Sequence, residues 1–232
     1  MVANAALNAG RLEIVMTLHL TIGNKNYSSW SFRPWLALKV AGIPFEETVI
    51  PLYVPGSREQ LLARSPAGKV PILQDGAVTV WESLAILEYA AEKYPEAGLW
   101  PRDPAARAHA RAIATEMHAG FAPLRIQCPM NTRRPVKKLE LSAETAANVA
   151  RIDAMWSGCR ARFGSGGPFL FGPFSAADAM YAPVVSRLHT YDIGVSAAST
   201  AYMQAMMALP AWQEWCAAAL KEEWVLQQSE VE

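Results

Sequence analysis

Three serines lie close together in the run Ser28-Ser29-Trp30-Ser31, shortly after a segment, 18–22, whose residues favour a β-strand. This order places the hydroxyl groups on a turn from a strand into a helix. The start of a helix carries unpaired backbone N–H groups and the positive end of the helix dipole, so it attracts an anion such as a thiolate or a carboxylate. Because serine is also a favoured N-cap residue, plain helix capping is the alternative interpretation.

Pro34 limits where this helix can begin. Proline has no backbone N–H, so it fits a straight helix only in the first turn. We therefore predict a helix over 31–41 with an N-cap no earlier than Ser31. Ser28 and Ser29 would then lie outside the helix and face the entrance of a site, which makes them the candidate catalytic residues.

Lys69-Val70-Pro71 puts a proline at the head of a predicted strand, one of the few places where a sheet tolerates a missing N–H. From the residues alone a trans bond before Pro71 is the simple expectation.

Glu82-Ser83 stands where a second helix is expected to begin. One interpretation is structural, with Thr79 and Glu82 forming a capping box. The other is that Glu82 binds an ammonium group while Ser83 and the helix start bind a carboxylate, as a zwitterionic ligand would require.

Met117, Phe121 and Leu124 are spaced to lie on one helix face. Such a stripe is usually core, and the alternative is that it lines an apolar pocket. Its polar neighbour His118 is interpreted as a surface or hydrogen-bonded histidine. Ser175 and Asp178 have capping-box spacing, and the basic run at 133–138 is interpreted as a solvated connection.

Composition excludes several function classes. The 232 residues are 52% hydrophobic and 18% charged, and the 21 basic side chains balance the 21 acidic ones, so no net field attracts nucleic acid. No apolar run approaches the roughly 20 residues of a membrane span. The cysteines are isolated, which suggests neither a disulfide framework nor a metal site and favours a cytoplasmic protein; they are Cys128, Cys159 and Cys216.

Secondary-structure patterns divide the chain in two. Strand-like runs lie at 18–22, 47–50, 70–74 and 77–80, with Asp75-Gly76 as a hairpin turn. Helical patterns in the same half cover 31–41 and 82–94, and the stretch 57–64 is either a short helix or irregular. Later helical patterns cover 105–127, 142–163, 175–191 and 200–220, and Pro123 should kink the first of them. We predict a flexible extension over 1–15, an α/β domain over 16–95, a proline-rich linker over 96–104 and an all-α domain over 105–232.

The run from Ser28 to Leu38 resembles the first-helix signature of serine-type glutathione transferases. It is most similar to the Zeta-class pattern Ser-Ser-Cys-Ser-Trp-Arg-x-x-x-Ala-Leu, with Trp30 in place of the cysteine. Val70-Pro71 resembles the family's cis-proline segment, and Glu82-Ser83 its Glu/Gln-Ser pair. The resemblance extends from Met16 to about Trp224 and implies a thioredoxin-like α/β domain followed by a helical domain.

The resemblance also implies a site. Glutathione would be the co-substrate, no metal would be needed, and a homodimer is expected. Ser28 matches the family's thiolate donor, with Ser29 as the second candidate. The residues implied in binding glutathione are Trp30, Arg33, Lys69, Val70, Pro71, Glu82 and Ser83, and those implied in binding the electrophile are Met117, Phe121 and Leu124.

The implied activity is attack of the glutathione thiolate on a small apolar electrophile. Zeta enzymes isomerise maleylacetoacetate, but Trp30, Trp35 and the apolar residues Ala122 and Ile126 depart from that class. An isomerase and a non-catalytic interaction protein of the same fold therefore stay as alternatives. A thiol-disulfide oxidoreductase is disfavoured, because no cysteine lies at the serine turn.

Overall fold

The computed structural model describes residues 17–232. Met16 and the predicted extension over 1–15 lie outside the described residues. The first domain contains the strands β1 (Leu18–Ile22), β2 (Phe45–Val49), β3 (Ile72–Asp75) and β4 (Val78–Trp81), and the helices α1 (Ser29–Val40), α2 (Ser57–Leu62) and α3 (Ser83–Lys93).

The four strands form one mixed sheet in the order β2-β1-β3-β4. β1 runs parallel to β2 and antiparallel to β3, and β3 pairs antiparallel with β4. Gly76 has φ +58 in the turn between β3 and β4, a left-handed conformation that suits glycine, as the Asp-Gly signal predicts. The predicted α/β domain with a thioredoxin-like sheet is confirmed.

Helices cover both faces of the sheet. Leu18, Leu20 and Ile22 of β1 are fully buried and belong to the main core with α1 and α3. On the opposite face, Leu61 of α2 packs in a second cluster with Ile50 and Ile72. β1 alternates apolar and polar residues, and its apolar side, formed by Leu18, Leu20 and Ile22, faces the main core.

The second domain is helical. It contains α4 (Pro104–Ala119), α5 (Ala122–Gln127), α6 (Ala143–Phe163), α7 (Ala176–Thr190), α8 (Ala197–Met207) and α9 (Pro210–Ala219), and it ends in a segment with a 3-10 turn, Gln227–Ser229. α7 is buried almost throughout and packs against α1, α4 and α8. No helix between residues 17 and 232 has the length and apolar character that crossing a lipid bilayer requires.

Two predicted long helices are each divided in the structure. Gly120 is extended and Phe121 has φ +59, so α4 ends there, and Pro123 lies in the first turn of α5 instead of kinking one helix. Gly120 has no room for a side chain, because a Cβ would lie 2.7 Å from the Glu116 carbonyl oxygen. Pro210 likewise begins α9 where one helix over 200–220 was predicted.

The predicted capping box at the start of α7 is confirmed. The Asp178 carboxylate accepts the backbone N–H and the hydroxyl of Ser175, both at 2.8 Å. It also accepts the Leu170 N–H at 3.0 Å, which ties the preceding loop to the helix. Burial raises the pKa of Asp178 to about 6, against the effect of these hydrogen bonds.

Candidate active site

Ser28 is the N-cap of α1. Its Oγ accepts the Ser31 N–H at 3.4 Å and donates to the Ser31 Oγ at 2.7 Å. The Ser31 Oγ in turn accepts the Gly23 N–H at 3.1 Å, which connects the helix start to the end of β1. The predicted N-cap at or after Ser31 is therefore wrong: Ser28 caps the helix and Ser29 is its first residue.

The helix begins early because tertiary packing tolerates Pro34 in its interior. A proline there removes one backbone hydrogen bond and costs about 3 kcal/mol or more in an isolated helix. In this protein α1 packs against α3, α7 and α9, and Trp35 and Leu36, which follow the proline, are fully buried. The free energy gained by burying this helix offsets the cost of the proline in its interior.

The two candidate serines differ in their hydrogen bonds. Ser28 is 6% exposed and Ser29 is 7% exposed, so only a small part of each residue is accessible to a ligand. The Ser28 hydroxyl is engaged with Ser31, whereas the Ser29 hydroxyl has no hydrogen-bond partner in residues 17–232. Both therefore remain candidates for binding a sulfur anion.

The peptide bond between Val70 and Pro71 is cis. The simple expectation of a trans bond is wrong here, and the expectation from the family resemblance is right. Val70 precedes β3, and its backbone groups bond to no turn or loop of the described chain, so they are free for a ligand. Pro71 is buried and Lys69 is exposed.

Glu82 has φ +68, an uncommon and strained conformation for a residue with a side chain. It is the N-cap of α3, yet its side chain makes no capping hydrogen bond, and Thr79 lies in β4 opposite Gln74. The predicted capping box is therefore wrong. The Glu82 carboxylate is 54% exposed, which leaves it able to meet a cationic group.

Ser83, the first residue of α3, is fully buried. Its Oγ lies 3.9 Å from the sulfur of Met180 on α7, a weak hydrogen-bond acceptor. Arg33 donates from its Nε to the Met180 carbonyl oxygen at 3.1 Å. Met180 is thus a shared neighbour of the two predicted ligand-binding residues, Ser83 and Arg33.

Arg33 is a buried cation without a balancing carboxylate. It has no exposed surface, and its Nη1 and Nη2 have no hydrogen-bond partner in residues 17–232. Burial lowers the pKa of its guanidinium well below the usual value, and the nearby charges of Arg187 and Arg125 lower it further. A buried charge in this state is costly unless an anion meets it.

Trp30 joins the two domains at the site. The Arg33 guanidinium lies 4.1 Å and that of Arg125 lies 5.5 Å from the centre of the Trp30 ring. The His118 ring packs edge-on against Trp30 with 5.4 Å between centroids, and its Nε2 lies 3.7 Å from the Glu82 carboxylate. Burial lowers the pKa of the His118 ring, whereas the negative charge of Glu82 raises it.

The predicted electrophile-binding stripe lies in the core. Met117 and Leu124 have no exposed surface and Phe121 has 9%, so the structure does not place them on the wall of an open pocket. The stripe is thus packed into the core, and its role in binding an electrophile stays a prediction. The residues of α4 and α5 that lie against Trp30 are His118, which the sequence indicated only as a polar neighbour of the stripe, and Arg125.

The cysteines lie away from the serine turn. Burial raises the pKa of Cys128 and Cys216 to about 11 and that of Cys159 to about 12, so none is a thiolate near neutral pH. Within the described chain, no group of three or more His, Cys, Asp or Glu side chains could hold a metal ion. The chemistry that the site offers is therefore that of hydroxyl groups, helix starts and guanidinium cations.

Two family descriptions match this chain. "Glutathione S-transferase, N-terminal domain" matches residues 27–93, and "Glutathione S-transferase, C-terminal domain" matches residues 142–218. The first match contains the serine turn, Val70-Pro71 and Glu82-Ser83, and together the two cover more than half of the chain.

Curated relatives match over a shorter range. The chain is 38% identical over 97 residues to a probable maleylacetoacetate isomerase of Caenorhabditis elegans, and 38% identical over 100 residues to maleylacetoacetate isomerase of Rattus norvegicus. Each alignment covers 42% of this chain, and they cover 45% and 46% of the two relatives. The chain thus matches less than half the length of either.

The fold has many solved counterparts. One is a glutathione transferase homologue from Burkholderia gl BGR1 with bound glutathione, which has a TM-score of 0.66 and 23% identity. The alignment covers 88% of this chain and 98% of that one, so both domains share its architecture. The chain belongs to the glutathione S-transferase superfamily and is similar to its Zeta-class members.

Proposed function

We propose that this protein is a glutathione transferase that binds the glutathione thiolate beside Ser28 and directs it at an electrophile. The observation that carries this proposal is the Ser28 hydroxyl at the N-terminus of α1, where the helix dipole also favours an anion. Ser29 is the second candidate for the same role.

The energies are sufficient for this chemistry. A free thiol has a pKa of about 8.5, and lowering it by about 2 units requires about 2.7 kcal/mol in favour of the thiolate. A hydrogen bond from a hydroxyl to a charged group contributes about 1.5–3 kcal/mol, and the start of a helix contributes about 0.3–1 kcal/mol. The hydroxyl stays protonated as a donor, so no general base is needed.

The surrounding residues suit the rest of glutathione. The exposed Glu82 carboxylate can bind the ammonium of the γ-glutamyl group, and the start of α3 at Ser83 can bind its carboxylate. Arg33, which shares Met180 as a neighbour with Ser83, has two unpartnered nitrogens that favour an anion. The free backbone of Val70 can pair with the cysteinyl residue.

The remaining residues named from the resemblance would shape the site. Trp30 would form its floor over Arg33, and Pro71 would hold Val70 in place. Lys69 is exposed next to Val70 and would contact glutathione at the surface. The homodimer implied by the resemblance is part of this proposal.

A glutathione-dependent cis-trans isomerase is the second candidate function. Arg33 and Arg125 bring two guanidinium groups to the Trp30 ring, and these would favour a substrate that carries a carboxylate over a purely apolar one. The relatives named maleylacetoacetate isomerase support the same choice. Under this proposal Phe121 is the one residue of the apolar stripe with surface left to contact a substrate.

The test compares Ser28→Ala and Ser29→Ala with the unaltered chain. We expect Ser28→Ala to lower the rate of conjugation of an aryl halide roughly 10–100-fold, the equivalent of one hydrogen bond to a charged group. Retention on immobilised glutathione should persist, because the γ-glutamyl contacts are unchanged. Loss of rate only in Ser29→Ala would move the donor role to Ser29.

Assays with several substrates distinguish the transferase, the isomerase and the non-catalytic protein. Turnover of maleylacetoacetate above that of aryl halides would favour the isomerase. Retention on immobilised glutathione without turnover of aryl halides, peroxides or maleylacetoacetate would indicate a non-catalytic protein. No retention at all would contradict glutathione binding and with it the proposed function.

A further inference from the structure

Asn26 is a buried residue in the loop between β1 and Ser28, and its hydrogen bonds anchor this loop to the rest of the chain. Asn26 has no exposed surface. All four of its polar groups bond to residues far along the chain: its N–H to Glu222 at 3.0 Å, its C=O to Thr132 at 3.2 Å, its Nδ2 to Asn131 at 3.0 Å and its Oδ1 to Arg133 at 2.9 Å.

Glu222 holds two consecutive backbone groups of this loop. Its carboxylate oxygens accept the Lys25 N–H at 2.6 Å and the Asn26 N–H at 3.0 Å. Hydrogen bonds to an ionised carboxylate are about twice as strong as neutral ones, so this pair fixes the orientation of both peptide groups. The Trp215 Nε1 completes the arrangement by donating to the Lys25 carbonyl oxygen at 2.9 Å.

Arg133 holds the C-terminal segment, residues 221–232, in place beside the loop. Its guanidinium donates to the carbonyl oxygens of Glu222 and Trp224 and to the Tyr27 hydroxyl. The Tyr27 hydroxyl also bonds to Glu230 of the segment. The interpretation of 133–138 as a solvated connection is thus wrong for Arg133 and Arg134, because both donate to backbone carbonyl oxygens of residues far along the chain.

These contacts converge on the position of Ser28. The Ser28 N–H bonds to the Asn24 carbonyl oxygen at 2.8 Å, so the loop sets where the Ser28 hydroxyl lies. A hydroxyl stabilises a thiolate only within hydrogen-bond distance, and a displacement of about 1 Å can cost about 100-fold in rate.

We propose that Glu222, by binding the backbone of Lys25 and Asn26, is a positioning residue that holds the Ser28 hydroxyl where the glutathione sulfur is bound. This inference rests on the proposed function. Glu222 lies outside both segments that match the family descriptions, 27–93 and 142–218. Through Glu222 the C-terminal segment contributes to the reaction by positioning Ser28.

The sign of the effect separates positioning from simple electrostatics. If Glu222 acted only through its negative charge, its removal would favour the thiolate and lower the pKa of the bound thiol. If Glu222 positions Ser28, its removal weakens the hydrogen bond to the thiolate and raises that pKa. The two roles thus predict opposite shifts.

The experiment measures the ultraviolet absorbance of the thiolate in the complex with glutathione as a function of pH. It compares the full chain with Glu222→Ala, with Glu222→Gln and with Glu223→Ala, the exposed neighbour, as the control. The kcat and the KM for glutathione in aryl halide conjugation are measured alongside, together with the melting temperature.

We expect Glu222→Ala to raise the thiol pKa by about one unit, from about 6.5 to about 7.5, which lowers the thiolate fraction and kcat at pH 7 about threefold. The KM for glutathione should change less than about twofold, because Glu82, Ser83 and Val70 are untouched. Glu222→Gln keeps an oxygen acceptor and should recover part of the loss even if Glu222→Ala folds poorly. Glu223→Ala should match the unaltered chain.

A thiol pKa and kcat in Glu222→Gln and Glu222→Ala equal to those of the unaltered chain, with only a lower melting temperature, would overturn the inference and leave the proposed function intact. A lower thiol pKa would overturn it in favour of an electrostatic role. If the unaltered chain forms no thiolate with glutathione, the proposed function itself fails and this inference falls with it.

Discussion

The hydroxyl oxygens of Ser28 and Ser31 lie 2.7 Å apart, and Ser31 also accepts the backbone N–H of Gly23 at the end of β1. Ser31 therefore joins the strand to the start of α1 through one buried side chain. The Ser31 hydroxyl is itself a donor, so when the Ser28 hydroxyl turns to donate a hydrogen bond to a bound thiolate, Ser31 can donate one to the Ser28 oxygen.

Ser31→Ala should destabilise the protein more than Ser28→Ala. The first change leaves the buried Gly23 N–H without a partner, which costs about 1–3 kcal/mol. The second removes an N-cap whose loss costs about 1 kcal/mol, and Gly23 keeps its bond to Ser31. Urea denaturation of both variants measures the difference, and equal midpoints would contradict the role assigned to Ser31.

Arg33→Met should destabilise the ligand-free protein little, because loss of the hydrogen bond from Nε to the Met180 carbonyl oxygen is offset by removal of a buried guanidinium whose Nη atoms are unpartnered in residues 17–232. Glutathione at about 100 times its Kd stabilises a protein by about 2.7 kcal/mol, and the variant should lose affinity and therefore most of that shift at the same concentration. Thermal melts with and without glutathione measure both effects.

Arg187→Met is the matched control for that change. Arg187 is also buried, but it donates to the carbonyl oxygens of Cys128 at 2.8 Å and Pro183 at 3.2 Å. Its removal should destabilise the ligand-free protein by about 1–3 kcal/mol, since buried acceptors lose their donor. If both variants show the same loss of stability and the same stabilisation by glutathione, Arg33 does not bind an anion.

His118 should titrate below the usual range of histidine, and Glu82→Gln should lower its pKa further, because Glu82 favours the protonated ring. The lowered folded-state pKa means that His118 contributes stability above its unfolded value of about 6.5 and loses that contribution as the pH falls. NMR titration of the ring protons checks the shift. Glu88→Gln, a change on the same helix α3, should leave it unaltered.

Ser175→Ala should lower the free energy of unfolding by about 1 kcal/mol, because it breaks the capping box with Asp178 at the start of α7. The KM for glutathione should not change, since the cap lies in the helical domain and contacts no residue of the serine turn. Denaturant melts and steady-state kinetics check the two parts. A raised KM with unchanged stability would contradict a purely structural role.

Local signals in the sequence predicted much of this fold. β1, the Asp75-Gly76 turn and the Ser175 capping box are as predicted, because each depends on residues within a few positions of one another. The start of α1 and the division of α4 from α5 are not. The first depends on packing that offsets Pro34, and the second on the left-handed backbone at Phe121.

Sequence by itself determined the family, the order of strands and helices, and the serines at the first helix, because these follow from short patterns. Tertiary structure alone decided that Arg33 is buried without a partner, that His118 meets Trp30, and that Glu222 holds the loop before Ser28. These contacts join residues about 90 to 200 positions apart, and only the packing of the two domains against each other brings them within hydrogen-bond and van der Waals distance.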